Sequence, residues 1–197
     1  MRPLLTLLLT ALLQLGSLGA VQASNVYKVG GFLPDLRFTL SSASQPSVTE
    51  TDFKGKVVML FFGYASCPDI CPITMAQLAQ VKQSLGDDAD QIRIIFISVD
   101  PQRDTPELLQ RYVDAFGNAA TGLTGTERQI ASVAKRYRVS FQMGKPSGPE
   151  GSNYEVTHSR GIYFFDRKGE ARFLASDGES IETLTDTARQ LIAETSH

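Results

Sequence analysis

The chain has 197 residues, of which 42% are hydrophobic, and its formal net charge at pH 7 is −2. This length and composition predict one globular domain with a full hydrophobic core. The charge balance lacks the basic excess that is typical of nucleic-acid-binding proteins, so we expect no nucleic-acid partner. Two cysteines are also too few for a disulfide framework.

The first 23 residues have the pattern of an export signal. Arg2 precedes a leucine-rich apolar run at residues 4–15, and Val21 and Ala23 place small residues at positions −3 and −1 of a cleavage site. Cleavage there leaves residues 24–197, which we expect to form a single domain.

An uncleaved membrane anchor is the alternative interpretation of the same segment. Residues 4–21 are barely long enough to span a bilayer, and glycine, serine and glutamine dilute their apolar character. In both cases we expect the rest of the chain to lie outside the cytoplasm. The predicted location is periplasmic or extracytoplasmic, with residues 4–21 as a tether to the inner membrane if they are retained.

Hydrophobic periodicity predicts strands and helices in alternation over the rest of the chain. The predicted strands cover residues 36–40, 48–50, 57–62, 92–99, 139–143, 162–165 and 170–175. The predicted helices cover residues 72–85, 106–116, 127–137 and 180–194, where Asp104 with Glu107 and Thr126 with Gln129 have the spacing of capping boxes. Residues 144–153 contain no apolar side chain and are predicted to form a mobile loop.

This order of elements predicts the fold class. The βαβ units require parallel strands, and the strands at residues 162–165 and 170–175 add an antiparallel hairpin. The predicted architecture is therefore α/β and thioredoxin-like, with a mixed central sheet and helices on both faces.

Both cysteines lie between a predicted strand and a predicted helix. Cys67 and Cys71 follow the strand at residues 57–62 and precede the helix, which is where open α/β sheets usually place their chemistry. Helical spacing puts Cys71 on the apolar side of that helix together with Met75. Because a helix N-terminus favours the thiolate, we expect reactive sulfurs there.

The spacing of the cysteines leaves several chemistries open. Three residues separate them, whereas a thioredoxin-type redox motif has two. Such a pair can close a disulfide, but a structural disulfide here would constrain very little chain. We therefore favour a redox-active or metal-binding dithiol, which outside the cytoplasm must be kept reduced by a partner or occupied by a metal.

Histidine distinguishes between these chemistries. Of the two histidines, His197 is the last residue, and His158 follows the predicted loop. A lone histidine at a strand edge is most often structural or solvated, but beside a dithiol it completes a set of two thiolates and one imidazole that suits copper as Cu(I) or Cu(II). Zinc is the alternative metal, although structural zinc normally takes four protein ligands, and only Asp69 or Asp100 could supply the fourth donor.

With its dithiol motif and downstream histidine, the chain resembles the Sco/SenC family of thioredoxin-like copper chaperones. The resemblance extends from about residue 31 to the C-terminal helix. Four stretches carry it: residues 61–72 with Cys-Pro-Asp-Ile-Cys-Pro, 98–107, 122–125 and 156–159.

The resemblance implies a ligand set and a partner. In the family both motif cysteines and the downstream histidine bind copper, which corresponds to Cys67, Cys71 and His158. Family members help load copper into cytochrome c oxidase subunit II, and some are thought to reduce the thiols of that subunit. The implied partners are therefore subunit II together with other copper carriers or thiol reductants.

The sequence departs from the family pattern before both metal-binding motifs. Thr157 stands where the family often has aspartate, and Ala65 and Ser66 replace the threonine and larger residues often seen before the first cysteine. These differences affect the surroundings of the ligands and not the ligands themselves. Asp100 corresponds to a family hydrogen-bond acceptor near the site, although an aspartate before proline is equally typical of a turn.

Two classes of function remain. The first is a copper-binding assembly factor without turnover, and the second is a thiol-disulfide oxidoreductase in which Cys67 and Cys71 are redox-active. His158 favours the first, because disulfide exchange does not require a histidine. A peroxiredoxin is disfavoured, because that family has threonine three residues before the reactive cysteine, where this chain has Tyr64. Met75 could supply a thioether ligand, but we expect it to belong to the helix core.

Overall fold

The computed structural model describes residues 24–147 and 153–194. The predicted signal or anchor at residues 1–23, the central part of the predicted mobile loop at residues 148–152 and the terminal His197 lie outside the described residues. Within the described ranges, none of the helices has the length and apolar character that crossing a bilayer requires.

The described residues form ten β-strands and four α-helices. The strands are β1 (Val26–Lys28), β2 (Thr39–Leu40), β3 (Val48–Thr49), β4 (Val57–Gly63), β5 (Ile92–Ser98), β6 (Ala120–Leu123), β7 (Phe141–Met143), β8 (Val156–His158), β9 (Ile162–Phe165) and β10 (Ala171–Ala175). The helices are α1 (Ile70–Ser84), α2 (Pro106–Asp114), α3 (Glu127–Arg136) and α4 (Ile181–Ala193).

Six strands form one mixed sheet in the order β1-β10-β9-β4-β5-β6. The pairs β4–β5 and β5–β6 are parallel, whereas β9 runs antiparallel to β4 and β10 runs antiparallel to β9. All seven residues of β4 are buried, as their almost unbroken apolar sequence predicts for a central strand. The predicted mixed sheet with its antiparallel hairpin is confirmed.

Helices cover both faces of this sheet. Phe61 and Phe62 are neighbours on β4, so their side chains point to opposite faces. On one face the ring of Phe61 packs against Phe96, which in turn packs against Tyr112 of α2. On the other face the ring of Phe62 packs against Tyr137 at the end of α3. The predicted three-layer, thioredoxin-like arrangement is therefore confirmed.

Two strands at the edges of the sheet are not predicted by the sequence pattern. β1 has three residues, of which only Val26 is even partly buried. β6 includes Gly122, where an added Cβ would lie 3.0 Å from the Cβ of Leu109 in α2. β1 pairs with β10 and β6 pairs with β5. Because these tertiary contacts stabilise the two strands, their short sequences need little β propensity of their own.

The histidine-bearing segment also differs from the prediction. β7 begins at Phe141 and pairs with β8 in a separate two-stranded sheet, so it is not part of the central sheet. Phe141 lies opposite His158 in this hairpin. Backbone hydrogen bonds between Ser147 and Asn153 continue the pairing into both described ends of the predicted loop. His158 therefore lies on a hairpin of its own.

Helix α1 begins two residues earlier than predicted. Its first residue is Ile70, so Cys71 and Pro72 both lie in the first turn. The capping box of Thr126 and Gln129 at the start of α3 is confirmed by hydrogen bonds in both directions. Because α1 begins before Cys71, this cysteine lies within the helix and its side chain is on the buried side of α1.

Candidate metal centre

The two cysteines occupy different environments at the junction of β4 and α1. Cys67 lies on the connecting loop and is half-buried, whereas Cys71 is fully buried in the first turn of the helix. Both are free thiols. The predicted apolar stripe of α1 is confirmed, because Cys71, Met75 and Leu78 are all completely buried. Met75 therefore belongs to the helix core, as expected.

The structure brings His158 to the buried cysteine. Nε2 of His158 lies 3.5 Å from Sγ of Cys71, and Nδ1 lies 3.0 Å from the carbonyl oxygen of Ser159. Because a carbonyl oxygen can only accept, Nδ1 carries the proton and donates it. The lone pair of Nε2 is then directed toward the sulfur, which is the tautomer that a metal-binding histidine requires.

Aromatic rings enclose the imidazole. The ring of Phe61 meets it at 6.2 Å with an interplanar angle of 74°, and the ring of Tyr64 meets it at 6.1 Å and 90°. Burial lowers the pKa of His158, and this effect outweighs the opposing influence of the Ser159 carbonyl and of Asp177. The ring is therefore neutral near pH 7 and available as a donor.

The two thiols titrate in opposite directions. Burial alone would raise the pKa of Cys67, but hydrogen bonds from the backbone of Asp69 and Cys71 and from the Tyr64 hydroxyl stabilise its thiolate, so the net pKa is lowered. Burial raises the pKa of Cys71, and the adjacent Cys67 sulfur adds to the rise. The predicted effect of the helix N-terminus is confirmed for Cys67 and is wrong for Cys71, because desolvation dominates there.

Gly63 makes room for the buried sulfur. A Cβ added at this last residue of β4 would lie 2.9 Å from Sγ of Cys71 and 2.8 Å from Cε2 of Phe96. Both distances are too short for a real contact. Any side chain at this position would therefore displace Cys71 or Phe96.

Asp104 holds the loop that precedes Cys67, a role that the sequence pattern does not reveal. Its buried carboxylate accepts hydrogen bonds from the backbone N–H of Ala65 at 2.8 Å and from the hydroxyl of Ser98 at 2.6 Å. The predicted capping box of Asp104 and Glu107 is wrong. Thr105 caps α2 instead, because its hydroxyl accepts from the N–H of Leu108. Asp104 and Thr105 are both good N-cap residues and are adjacent, so the sequence alone does not show which of them caps α2.

Asp100 is buried beside the site but bonds to neither sulfur nor imidazole. Its Oδ2 atom accepts from Nε of Arg103 at 2.5 Å, and its Oδ1 atom accepts from the hydroxyl of Tyr154 at 2.7 Å. Asp69, the other candidate oxygen donor, is exposed and makes no side-chain cap to α1. Neither aspartate therefore contributes an oxygen to the sulfur-imidazole group.

The site contains two soft donors, the sulfurs of Cys67 and Cys71, and one borderline donor, the imidazole of His158. Each cysteine sulfur influences the pKa of the other, and Sγ of Cys71 lies 3.5 Å from Nε2 of His158. Among residues 24–147 and 153–194, no three His, Cys, Asp or Glu side chains form a ready cluster around one point. The donor set of two sulfurs and one imidazole fits a soft ion of low coordination number, and the same two sulfurs can also exchange with disulfides.

Comparison with known proteins identifies what the chain is similar to. The SCO1/SenC family model matches residues 33–193. Protein SCO2 of Saccharomyces cerevisiae mitochondria is 42% identical over 135 residues, which are 68% of this chain and 44% of that protein. Protein SenC of Rhodobacter capsulatus is 37% identical over 131 residues, 66% of this chain and 58% of that protein. The chain spans about half the length of the curated relatives that it matches.

Solved structures agree with the fold. Bradyrhizobium japonicum ScoI with copper bound superposes with a TM-score of 0.71 at 32% identity, covering 80% of this chain and 99% of that chain. Yeast Sco1 with copper bound superposes with a TM-score of 0.74 at 28% identity, covering 83% and 91%.

Proposed function

The chain belongs to the SCO1/SenC family, and we propose that it is a copper-binding metallochaperone. Cys67, Cys71 and His158 hold one copper ion in this proposal. Copper is the cargo of the protein and not a resident cofactor. The copper bound to two of the similar Sco structures supports this choice of metal.

The contact between Cys71 and His158 carries the proposal. A dithiol that only exchanges disulfides does not need an imidazole whose Nε2 lone pair points at a sulfur 3.5 Å away. A copper site does need it, because imidazole stabilises Cu(II) while thiolates select Cu(I). The hydrogen bond from Nδ1 to the Ser159 carbonyl fixes the ring in the orientation that presents this lone pair.

Loading couples copper binding to proton release. The lowered pKa of Cys67 makes its thiolate the first sulfur available, whereas the buried thiol of Cys71 must give up a proton when the metal arrives. His158 is already neutral and releases none. In this proposal the ion therefore enters at the half-exposed Cys67.

The proposed target is cytochrome c oxidase subunit II outside the cytoplasm. The family resemblance supports this partner, and the export pattern of residues 1–23 supports a periplasmic location, with or without a membrane tether. Delivery requires that the target thiols accept copper from the exposed side, where Cys67 lies.

Metal analysis of the protein purified from its own compartment tests the proposal, provided that accessible thiols are counted on the same sample. The proposal predicts about one copper per chain, with two thiols that become reactive only after a chelator removes the metal. A copper-free protein with a Cys67–Cys71 disulfide would contradict it.

A thiol-disulfide oxidoreductase is the second candidate, and the asymmetry of the two thiols favours it. Cys67 is half-exposed with a lowered pKa, as in an attacking thiol, and Cys71 is buried beside it. The Cys67 thiolate would attack a target disulfide and release one target thiolate. Cys71 would then lose its proton and displace the second, leaving an oxidised Cys67–Cys71 pair and a reduced target. Repeated reduction of insulin in the presence of a thiol reductant would demonstrate this activity.

A further inference from the structure

We infer that Arg103 is a positioning residue that holds His158 over the cysteines by binding Tyr154. The consequence for copper rests on the proposed function. The geometry that carries the inference involves only side chains and backbone of this chain, so it can be tested without a metal.

The histidine-bearing hairpin needs such a fastening because it is separate from the central sheet. Its strands β7 and β8 are hydrogen-bonded to each other, and the base of the hairpin is closed by the N–H of Ser159, which donates to the carbonyl of Ser140 at 2.8 Å. These bonds shape the hairpin but do not join it to β4 or β5. The short link at residues 159–161 to β9 and the side-chain contacts of the hairpin therefore set the distance between His158 and the cysteines.

Arg103 supplies a closed set of contacts between the end of β5 and this hairpin. Its Nε atom donates to Oδ2 of Asp100 at 2.5 Å, and its Nη1 atom donates to the carbonyl oxygen of Tyr154 at 2.8 Å. The hydroxyl of Tyr154 donates to the other oxygen of Asp100 at 2.7 Å. The guanidinium carbon also lies 3.7 Å from the centre of the Tyr154 ring. We call these three residues the Asp100–Arg103–Tyr154 clamp.

The clamp reaches the histidine from two directions. Tyr154 lies just before β8, so the clamp anchors the start of the strand that ends at His158. Arg103 also lies 5.6 Å from the ring centre of Tyr64, and that ring packs perpendicular to the imidazole. Asp100 is completely buried, and its backbone N–H donates to the hydroxyl of Ser98 at 3.0 Å. One arginine thus contacts both the segment that carries the imidazole and the ring that encloses it.

Loss of the clamp should lower the affinity for Cu(II) much more than the affinity for Cu(I). Two thiolates on α1 and its preceding loop can hold Cu(I) without the hairpin, whereas Cu(II) depends on the imidazole. Lysine cannot replace Arg103, because one ammonium cannot bind Asp100 and the Tyr154 carbonyl in the same fork and stack on the ring. We therefore expect Arg103→Lys to behave like Arg103→Ala.

A double-mutant cycle with His158 tests the inference. Arg103→Ala should weaken Cu(II) binding about 10–100-fold in the wild-type background, the usual cost of losing a residue that orients a metal ligand. In the His158→Ala background the same change should alter Cu(II) affinity by no more than about twofold, and Cu(I) affinity should change as little in either background. Equal losses of Cu(II) affinity in both backgrounds would overturn the inference.

Two further variants keep the cycle interpretable. Arg103→Lys keeps the charge and most of the bulk but loses the guanidinium bonds to Asp100 and the Tyr154 carbonyl, so it can replace Arg103→Ala if that variant does not fold. Arg172→Ala is the matched control, because Arg172 also binds two carboxylates, Asp166 and Glu194, but does so on β10. The control should lower stability without changing copper affinity.

Amide hydrogen exchange of the copper-free protein provides the readout that does not depend on metal. Arg103→Lys should speed exchange in β8 relative to β9, whereas Arg172→Ala should leave β8 unchanged. Unchanged protection of β8 in Arg103→Lys would overturn the inference. If the wild type binds no copper, the proposed function fails, and this exchange measurement alone decides whether Arg103 positions the hairpin.

Discussion

Sγ of Cys71 and Nε2 of His158 lie 3.5 Å apart although 87 positions separate the two residues in the sequence. The first turn of α1 buries the sulfur, and a separate hairpin brings the imidazole to it. The same burial raises the pKa of the thiol and lowers that of the imidazole, so both groups are neutral in the copper-free protein near pH 7. A neutral thiol and a neutral imidazole thus lie next to Cys67, whose pKa is lowered.

Cys67 should react with iodoacetamide before Cys71 in the copper-free protein. Its thiolate is stabilised by backbone N–H groups and it is half-exposed, whereas Cys71 is buried with a raised pKa. Mass spectrometry of briefly labelled wild-type protein should therefore find the label on Cys67, with a reaction midpoint below the ordinary cysteine pKa of about 8.5. Cys67→Ser should label slowly and Cys71→Ser quickly. The reverse order would refute this assignment.

The imidazole of His158 should titrate below the ordinary histidine pKa of about 6.5. Between the lowered folded pKa and the unfolded value, the unfolded chain binds a proton that the folded chain does not. Stability is therefore lost as the pH falls through about 6.5, and the loss is complete below the folded pKa. NMR titration measures the pKa of His158. The signal of His158 is identified by its absence from the spectrum of His158→Ala. In urea unfolding, wild type should lose more stability than His158→Asn between about pH 7.5 and about pH 5.5; equal losses would contradict the prediction.

Gly63→Ala should destabilise the protein by about 1–3 kcal/mol, the usual cost of overpacking a core. The new methyl would meet Sγ of Cys71 at 2.9 Å and Cε2 of Phe96 at 2.8 Å. Gly30→Ala is the control, because its new methyl would come no closer than 3.7 Å to the carbonyl of Ala171. Urea unfolding of both variants measures the difference. If the two variants are equally stable, the close packing of Gly63 on Cys71 is refuted.

Asp104→Ala should cost more stability than Thr105→Ala. The first change leaves the buried hydroxyl of Ser98 without its acceptor, at about 1–3 kcal/mol, and also removes the acceptor of the partly buried N–H of Ala65. The second removes a helix cap worth about 1 kcal/mol. Glu107→Ala, at an exposed position, should change stability by no more than about 0.5 kcal/mol. A cost for Glu107→Ala that matches Asp104→Ala would restore the capping-box interpretation.

The sequence predicts those parts of this structure that depend on local pattern. β4 and β5 consist almost entirely of buried apolar residues, and the capping box at Thr126 marks the start of α3. The positions of Cys67 and Cys71 follow from the same pattern, because a strand ends before them and a helix begins around them. These features are encoded within short windows of the chain.

Features that depend on tertiary contacts are not visible in the sequence. β6 exists because β5 lies beside it, and the close packing of its Gly122 against Leu109 of α2 is a tertiary contact. Asp104 has the signature of a cap, but its carboxylate turns inward to Ala65. The pKa of Cys71 is governed by burial, which helix position alone does not reveal.

Parallel titrations of Cu(I) and Cu(II) test most directly the proposal that Cys67, Cys71 and His158 bind one copper ion. The samples are wild type, Cys67→Ser, Cys71→Ser, His158→Ala and, as the matched control, His197→Ala. Each serine variant should lose copper binding, because a hydroxyl is a hard and weak ligand for copper. His158→Ala should weaken Cu(II) by at least about tenfold and Cu(I) much less, and His197→Ala should match wild type. Wild-type Cu(II) affinity in His158→Ala, together with repeated disulfide reduction by the wild-type protein, would contradict the copper-chaperone account and favour the oxidoreductase.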